Sequence, residues 1–273
     1  MKRIVGIVCA AITATLIVAC TTSPTGRTQL MIISPESAIV ESKAAYLSTM
    51  QSLDEQQKLV TDPTTVKRIQ TITGRLVTEA VARYPSSRNW EWSVAIIDDA
   101  ETLNAWCMAG GRMAIYTGII SKLDLNDDEI AQIMGHEISH ALANHTAEQM
   151  SRAIAINMGV TAVGVASDNS GIALSATAIA AQLALQLPNS RTAESEADRI
   201  GIELAARAGY APEAAVTLWQ KMNKQGGDRP PEFLSTHPSP GNREKTLQAL
   251  VPEMKALNPQ QVKAAVHAIT IVQ

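Results

Sequence analysis

Apolar residues between Asn126 and Leu142 recur at the three- and four-residue spacing of a helix that has one face in a protein core. Asn126 is a suitable N-cap, Glu129 stands at the third helical position as in a capping box, and Asp127 adds negative charge at the positive end of the helix dipole. This stretch therefore predicts a capped helix that packs against a core.

The remaining pattern predicts a mainly helical domain with a small sheet, which is an α+β fold. Residues 90–97 alternate as a strand does, and the segments on either side of Gly110-Gly111 are typical of a hairpin. In chain order, the predicted elements are two helices within residues 35–84 broken near Asp62-Pro63, the strand, hairpin arms at 103–108 and 112–116, the helix from Asn126, a helix from Asn189 or Ser190 to Gly209, and a helix from Pro212 to Gly226-Gly227. For Val262 to Val272, a strand, a helix and a tail that fills the cleft all remain open.

Two apolar, alanine-rich segments lie at residues 153–167 and 171–187. Each is shorter than the roughly 20 residues that a helix needs to cross a bilayer. We predict a helical hairpin over residues 152–187 that packs on the domain. The alternative is contact with a membrane or a larger partner.

The segment His136-Glu137-Ile138-Ser139-His140 has the H-E-x-x-H pattern of a catalytic zinc helix. Residues four apart share one helix face, so both imidazoles can reach a single ion at roughly 2.0–2.1 Å. Glu137 lies beside them without being needed as a ligand, and it is free to take a proton from water activated by the metal. The alternative is a surface helix that happens to carry these residues.

A catalytic zinc site needs a third protein ligand. His145 follows His136 by nine residues, which puts it on the wrong side of a continuing helix, so we interpret it as a packing or hydrogen-bonding residue. Glu194 and Asp198 are better candidates because they lie one turn apart on one face of a second predicted helix. Taken alone, these two acids would indicate a solvated, charged face.

Three segments together resemble the M48 zinc metallopeptidases of the gluzincin type, namely H-E-I-S-H at 136–140, E-S-E-A-D at 194–198 and S-T-H-P at 235–238. The resemblance implies a zincin-like domain over residues 31–273 that binds one Zn²⁺ per chain. It implies Glu194 as the third ligand, while Asp198 would steady a ligand histidine. It also implies that His237 lies over the active site, where it could donate a hydrogen bond to the oxyanion; a loop histidine that bonds only to backbone is the alternative.

The predicted hairpin also has a counterpart in the family. Its segment at Asn104, Ala105 and Trp106 resembles the edge of the family's active-site cleft, to which an extended peptide could add as a strand. A core hairpin without a substrate role is the alternative. Arg243 matches an arginine that the family often has after T-H-P, and its role stays open.

The beginning of the chain resembles a bacterial lipoprotein signal. Residues 1–19 have a basic start and an apolar run, and Ile17-Val18-Ala19-Cys20 resembles a lipobox with cleavage before Cys20. We expect residues 20–30 to be a tether with lipid on Cys20, which would hold the protein to a membrane facing the periplasm, most simply the outer membrane. Ordinary secretion and an uncleaved anchor are the alternatives.

The composition narrows the class of partner. The formal net charge is -3 and no basic cluster occurs, which argues against a nucleic-acid partner. After cleavage only Cys20 and Cys107 would remain, so packing and metal, rather than disulfides, must stabilise the fold. We therefore predict a zinc endopeptidase of the cell envelope that cleaves polypeptides in protein quality control. An envelope chaperone or assembly factor that seldom cuts is the main alternative, and an inert structural lipoprotein is a weaker one.

Overall fold

The computed structural model describes residues 20–164, 189–225, 232–238 and 241–273, with the backbone alone over 156–164. The predicted signal peptide at 1–19, the greater part of the helical hairpin predicted at 152–187 and the helix end at Gly226-Gly227 lie outside the described residues. The strands are β1 (Cys20–Thr22), β2 (Thr28–Leu30), β3 (Ser93–Ile97), β4 (Ala105–Met108), β5 (Arg112–Tyr116) and β6 (Thr270–Val272). The α-helices are α1 (Pro35–Glu55), α2 (Pro63–Arg83), α3 (Thr117–Lys122), α4 (Asp127–Leu142), α5 (His145–Gly164), α6 (Arg191–Arg207), α7 (Ala214–Gln225), α8 (Glu232–Thr236) and α9 (Arg243–Leu257).

Helices dominate and the main sheet is small, so the predicted α+β class is confirmed. Within the described residues the main sheet has the strand order β4-β5-β3-β6, with β3 parallel to both β5 and β6 and β4 antiparallel to β5. The predicted hairpin is present, and its three-residue loop, Ala109 to Gly111, contains Gly110 at φ 84° and Gly111 at φ 78°, a left-handed backbone that glycine adopts without strain. The tail left open by the sequence adds β6 to the sheet.

The strand β3 is shorter and more deeply buried than the sequence pattern predicts. It begins at Ser93 rather than Trp90, and all five of its residues are buried. A strand flanked by parallel neighbours and covered on both faces carries a continuous apolar run, which here is Val94 to Ile97. The hydrophobic core lies between this sheet and helices α2, α4, α6 and α7.

The helix α4 begins as predicted. The Asn126 side chain accepts from the Glu129 backbone N–H, and the Glu129 carboxylate accepts in return from the Asn126 N–H, which is a complete capping box. The same carboxylate also binds Lys221 at 2.7 Å and Thr217 at 2.8 Å, both on α7. The start of α4 is thereby tied to a neighbouring helix. Every residue from Glu129 to Leu142 is buried, so α4 runs through the interior rather than exposing a polar face.

The helix α4 stops earlier than a continuous pattern would suggest. Asn144 has a left-handed backbone at φ 55°, which asparagine tolerates better than most residues and which ends α4. A new helix, α5, begins at His145. His145 therefore does not lie half a turn round the α4 helix, because the chain changes direction just before it.

The two helices that carry the zinc-motif residues approach at glycines. A Cβ placed on Gly201 of α6 would lie 2.8 Å from the His136 backbone nitrogen and 2.9 Å from its Cα, and a Cβ on Gly135 would lie 2.9 Å from the Gly201 carbonyl oxygen. A real Cβ cannot occupy such a position without moving one helix. The pair Gly135 and Gly201 therefore sets the distance between α4 and α6.

Residues 20–30, which the sequence predicts to be a tether, form a two-stranded hairpin. β1 and β2 pair antiparallel over Cys20 to Leu30, and β2 contacts α5. Within the described ranges, no helix combines the length and apolar character needed to span a membrane.

Substitution of Gly201 by alanine should destabilise the fold, although alanine favours a helix over glycine by about 1 kcal/mol. The added methyl group must displace α4 or α6, so we expect the free energy of unfolding to fall by about 1–3 kcal/mol. Denaturant unfolding of Gly201→Ala measures this. Gly241→Ala is the control, since a Cβ at Gly241 meets no atom within 4 Å. Equal stability of the two variants would contradict the close-packing argument.

Candidate metal centre

Three side chains converge between α4 and α6. His136 and His140 lie one turn apart on α4, and their Nε2 atoms are 3.0 Å apart. Glu194, in the first turn of α6, presents Oε2 at 3.4 Å from His136 Nε2 and Oε1 at 3.4 Å from His140 Nε2. The Ser190 side chain caps α6 by accepting from the Ala193 N–H, which fixes where this first turn begins. Residues that are 54 positions apart along the chain, His140 and Glu194, are thus brought together.

The surroundings of Glu194 fit a cation. The residue is fully buried, and neither carboxylate oxygen has a hydrogen-bond partner among the described residues. Arg243 Nη1 lies 3.2 Å from Oε2, but this contact lacks hydrogen-bond geometry. A buried carboxylate without such partners costs several kcal/mol, and a divalent ion between it and the two facing imidazole nitrogens would remove that cost. Two imidazoles and one carboxylate are a donor set that suits zinc.

Asp198 holds the ring of His136. Its Oδ1 lies 3.1 Å from His136 Nδ1. A carboxylate accepts there, so the ring proton sits on Nδ1 and the Nε2 lone pair points toward Glu194. Burial lowers the pKa of His136, but the neighbouring carboxylates of Asp198 and Glu194 outweigh burial and raise the pKa to about 9. A metal ion would displace the second proton from such a ring.

Arg243 is part of the centre, a role that the sequence left open. Its Nη2 donates to Asp198, and its guanidinium lies 3.6 Å from the centroid of the Trp219 ring. The side chain is 2% exposed. Arg243 therefore neutralises Asp198 and fixes the group that orients His136. In the sequence, Arg243 could be found because the family often has an arginine after T-H-P, but that resemblance did not indicate what the residue does.

His145 contacts the centre without joining the ligand cluster. Its Nδ1 lies 2.8 Å from His140 Nδ1, and its Nε2 lies 3.1 Å from Glu196 Oε2. This agrees with the interpretation of His145 as a hydrogen-bonding residue. Burial and the neighbouring histidines hold the pKa of His140 well below its ordinary value, so its ring is neutral and has a lone pair to offer a metal. The sequence gave no signal for Glu196 apart from its place inside E-S-E-A-D.

Glu137 is buried beside the candidate ligands, with Oε1 3.4 Å from His237 Nε2. It is 2% exposed, and its Oε1 has no hydrogen-bond partner among the described residues. Burial is the largest influence and raises the pKa of Glu137 to about 8. A cation among the three ligands would lower this pKa again, because it favours the charged form of a nearby carboxylate. The carboxylate is therefore placed to exchange protons with water at the centre.

His237 joins the same cluster. One ligand atom from each of His136, His140, Glu194 and His237 lies within 4.8 Å of the others. Its Nδ1 is 3.1 Å from the Phe233 carbonyl oxygen and 2.9 Å from the Thr236 hydroxyl, and its Nε2 is 3.4 Å from Glu137 Oε1, so either ring nitrogen can carry the proton. Burial lowers the pKa of His237 to about 4, which keeps the ring neutral. Nε2 suits a fourth ligand when the proton is on Nδ1, and it can donate to an oxyanion when the proton is on Nε2.

The strand β4 runs along the centre, as its predicted role as a cleft edge requires. Its Cys107 backbone contributes a hydrogen bond to Glu137, and Trp106 lines a cavity together with Glu137 and His140. Asn104 precedes the strand and contacts Glu232 at 3.3 Å. All four residues from Ala105 to Met108 are buried. The edge is adjacent to the centre but covered in this arrangement, and a substrate role for Asn104, Ala105 and Trp106 stays a prediction.

Several known proteins are similar in sequence to this chain. The model of peptidase family M48 matches residues 63–251. The mitochondrial metalloendopeptidase OMA1 of Arabidopsis thaliana is 39% identical over 176 residues, which cover 63% of this chain and 34% of that protein. OMA1 of Bos taurus is 30% identical over 241 residues, covering 84% of this chain and 45% of that protein. The beta-barrel assembly-enhancing protease of Escherichia coli is 30% identical over 194 residues, covering 68% of this chain and 38% of that protein.

These matches show how much of each protein is similar and to which family the chain belongs. The chain spans between about a third and half of the length of these curated relatives. The matched region, residues 63–251, makes up more than half of the chain and includes α4 and α6, the helices of the candidate metal centre. The chain therefore belongs to peptidase family M48.

Proposed function

We propose that the protein is a zinc-dependent endopeptidase whose ion is held by His136, His140 and Glu194. The observation that carries the proposal is the fully buried Glu194 carboxylate, which faces two imidazole Nε2 atoms at 3.4 Å and lacks any hydrogen-bond partner among the described residues. Membership of family M48 and the names of the relatives, which are metalloendopeptidases and a protease, support the same reaction class.

The chain's own residues supply the proton chemistry. When bound, zinc makes water acidic enough to ionise near neutral pH and polarises the substrate carbonyl. Glu137 takes the proton from the attacking water and then delivers it to the nitrogen of the leaving amine. Asp198 and Arg243 hold His136 in the tautomer that leaves Nε2 free. His237 is proposed to assist at the oxyanion as a donor, with the ring proton on Nε2.

The proposed setting is the bacterial cell envelope, with lipid on Cys20 and with misfolded or unassembled envelope proteins as substrates. The lipobox-like Ile17-Val18-Ala19-Cys20 motivates the tether, which would leave residues 31–273 as the peptidase domain. The name of the Escherichia coli relative, a beta-barrel assembly-enhancing protease, supports an envelope role.

One observation favours a second candidate, an assembly factor that seldom cuts. His136, Glu137, His140 and Glu194 are all at most 5% exposed, so the centre presents little surface to a peptide in this arrangement. A protein that opens only rarely would bind polypeptides more often than it cleaves them. The second candidate and the endopeptidase differ in whether Glu137 is needed for the biological effect.

Glu137→Gln should abolish peptide cleavage while the ion stays bound. The amide cannot accept the proton of water, so we expect kcat to fall by about 10²–10⁴-fold or more, with about one zinc per chain retained. Turnover of an unfolded polypeptide, together with elemental analysis, measures both. Glu253→Gln is the control, because Glu253 pairs with Arg199 at an exposed site. Undiminished cleavage by Glu137→Gln would refute the mechanism, and full rescue of an envelope defect by this variant would favour the assembly factor.

Loss of one ligand should release the ion. We expect Glu194→Gln and His140→Ala to retain far less than one zinc per chain after dialysis, because two ligands hold zinc much more weakly than three. Zinc content measured beside wild type and Glu137→Gln tests the ligand set. Full zinc content in both ligand variants would exclude His140 and Glu194 as ligands.

His237→Ala separates the two roles that the geometry permits. As an oxyanion donor, His237 should contribute about 10²–10³-fold to kcat, with zinc content unchanged because the other three ligands remain. We expect this loss in steady-state kinetics. A rise in activity would show instead that His237 occupies the fourth position and blocks the site at rest.

A further inference from the structure

A line of hydrogen bonds, buried as far as Glu196 and partly exposed at Arg27, joins the candidate ligand His140 to the N-terminal hairpin, residues 20–30. His140 Nδ1 lies 2.8 Å from His145 Nδ1, and His145 Nε2 lies 3.1 Å from Glu196 Oε2. Arg27, in the hairpin turn, donates from Nε to the same Oε2 at 3.0 Å. Four residues from four different segments thus follow one another without a gap.

The positions of the protons along this line are determined by its two ends. If His140 binds an ion through Nε2, its proton must sit on Nδ1 and be donated to His145 Nδ1. His145 must then carry its own proton on Nε2 and donate it to Glu196, whose carboxylate only accepts. One arrangement of tautomers satisfies every contact, and it is the arrangement that points the His140 lone pair at the metal position.

Arg27 provides the charge that keeps this line in place. It also donates to both oxygens of Glu148, at 2.8 Å from Nη1 and 2.6 Å from Nη2. Thr25 donates to Glu196 Oε1 at 2.6 Å. Glu196 and Glu148 are 5% and 2% exposed, so each needs a cation or a set of donors to remain charged in the interior. The guanidinium fork serves both carboxylates at once, which a lysine cannot do.

A second buried contact, made by Gln29, holds the hairpin against the domain. Gln29 is 1% exposed, and its side-chain amide donates to the Ala143 carbonyl at 2.8 Å and to Glu148 Oε2 at 2.9 Å. Ala143 is the C-cap of α4, the helix that carries His140. The hairpin therefore contacts the end of this helix as well as the hydrogen-bonded line, and both contacts depend on its docked position.

We propose that Arg27 is a positioning residue for the metal centre, so that the docked N-terminal hairpin holds Glu196, His145 and His140 in the metal-binding orientation. The inference rests on the proposed ligand role of His140. Its consequence is that the segment directly after Cys20 also supports the metal site, in addition to serving as a tether. Undocking this segment, by a pull on the N-terminus or by a competing partner, would weaken the metal site.

The test measures zinc affinity of the full chain by competition with a chelator. We expect Arg27→Met to raise the zinc Kd by about 10–100-fold, the effect typical of residues that orient a ligand, and Arg27→Lys to restore only part of this. In Co²⁺-substituted protein, the visible absorption bands of Arg27→Met should shift, because they report ligand geometry. A merely structural role would lower the melting temperature and leave the zinc Kd and the cobalt spectrum of the folded protein unchanged.

Two further variants make the result decisive. Arg199→Met removes an arginine–carboxylate pair on the same helix as Glu196, with Glu253 as partner, and should leave the zinc Kd unchanged. Glu196→Gln removes the charge without removing bulk and should weaken zinc binding even if Arg27→Met does not fold. Unchanged affinity in both Arg27→Met and Glu196→Gln, beside zinc loss in His140→Ala, would overturn this inference alone. Retention of zinc by His140→Ala would overturn the ligand set, and this inference with it.

Discussion

The metal centre depends on how closely the backbones of α4 and α6 approach. At Gly135 and Gly201 the two helices touch without side chains between them. His136, the residue after Gly135, meets Asp198, one turn before Gly201, at 3.1 Å. A wider separation would take Glu194 and Asp198 of α6 away from the imidazoles of α4. The glycines therefore contribute no chemistry of their own, yet they set the distance over which all of the chemistry takes place.

The close approach of α4 and α6 also places charged side chains in the protein interior, where each needs a partner of opposite charge. Asp198 is balanced by Arg243, which in turn stacks on Trp219. Glu194 faces imidazoles and lacks hydrogen bonds among the described residues. Glu194, with both carboxylate oxygens left without hydrogen bonds in the described part of the chain, is thus the one expected to bind an ion. Buried ionic groups seldom add net stability, so their cost here is accounted for by function rather than by folding.

Local signals in the sequence were sufficient for the starts of α4 and α6 and for naming His136, His140, Glu194 and His237, which the structure brings together. The capping residues Asn126 and Ser190 mark the starts of α4 and α6 because caps act within one turn, and H-E-x-x-H lies on one face because helical periodicity is local. Contacts between distant segments could not be predicted from the sequence. The left-handed Asn144, which separates His145 from α4, the addition of β6 beside β3, and the contact of Arg27 with Glu196 all depend on tertiary packing, which no spacing along the chain encodes.

The burial of the ligand side chains separates how tightly an ion is held from how fast it exchanges. With Glu194 fully buried and His136 and His140 each 5% exposed, an ion can leave only when the surrounding structure opens locally. Its exchange rate is then set by the frequency of that opening rather than by affinity. An ion acquired during folding would persist through dilution, and a chelator would act on the timescale of protein motion rather than of metal–ligand chemistry.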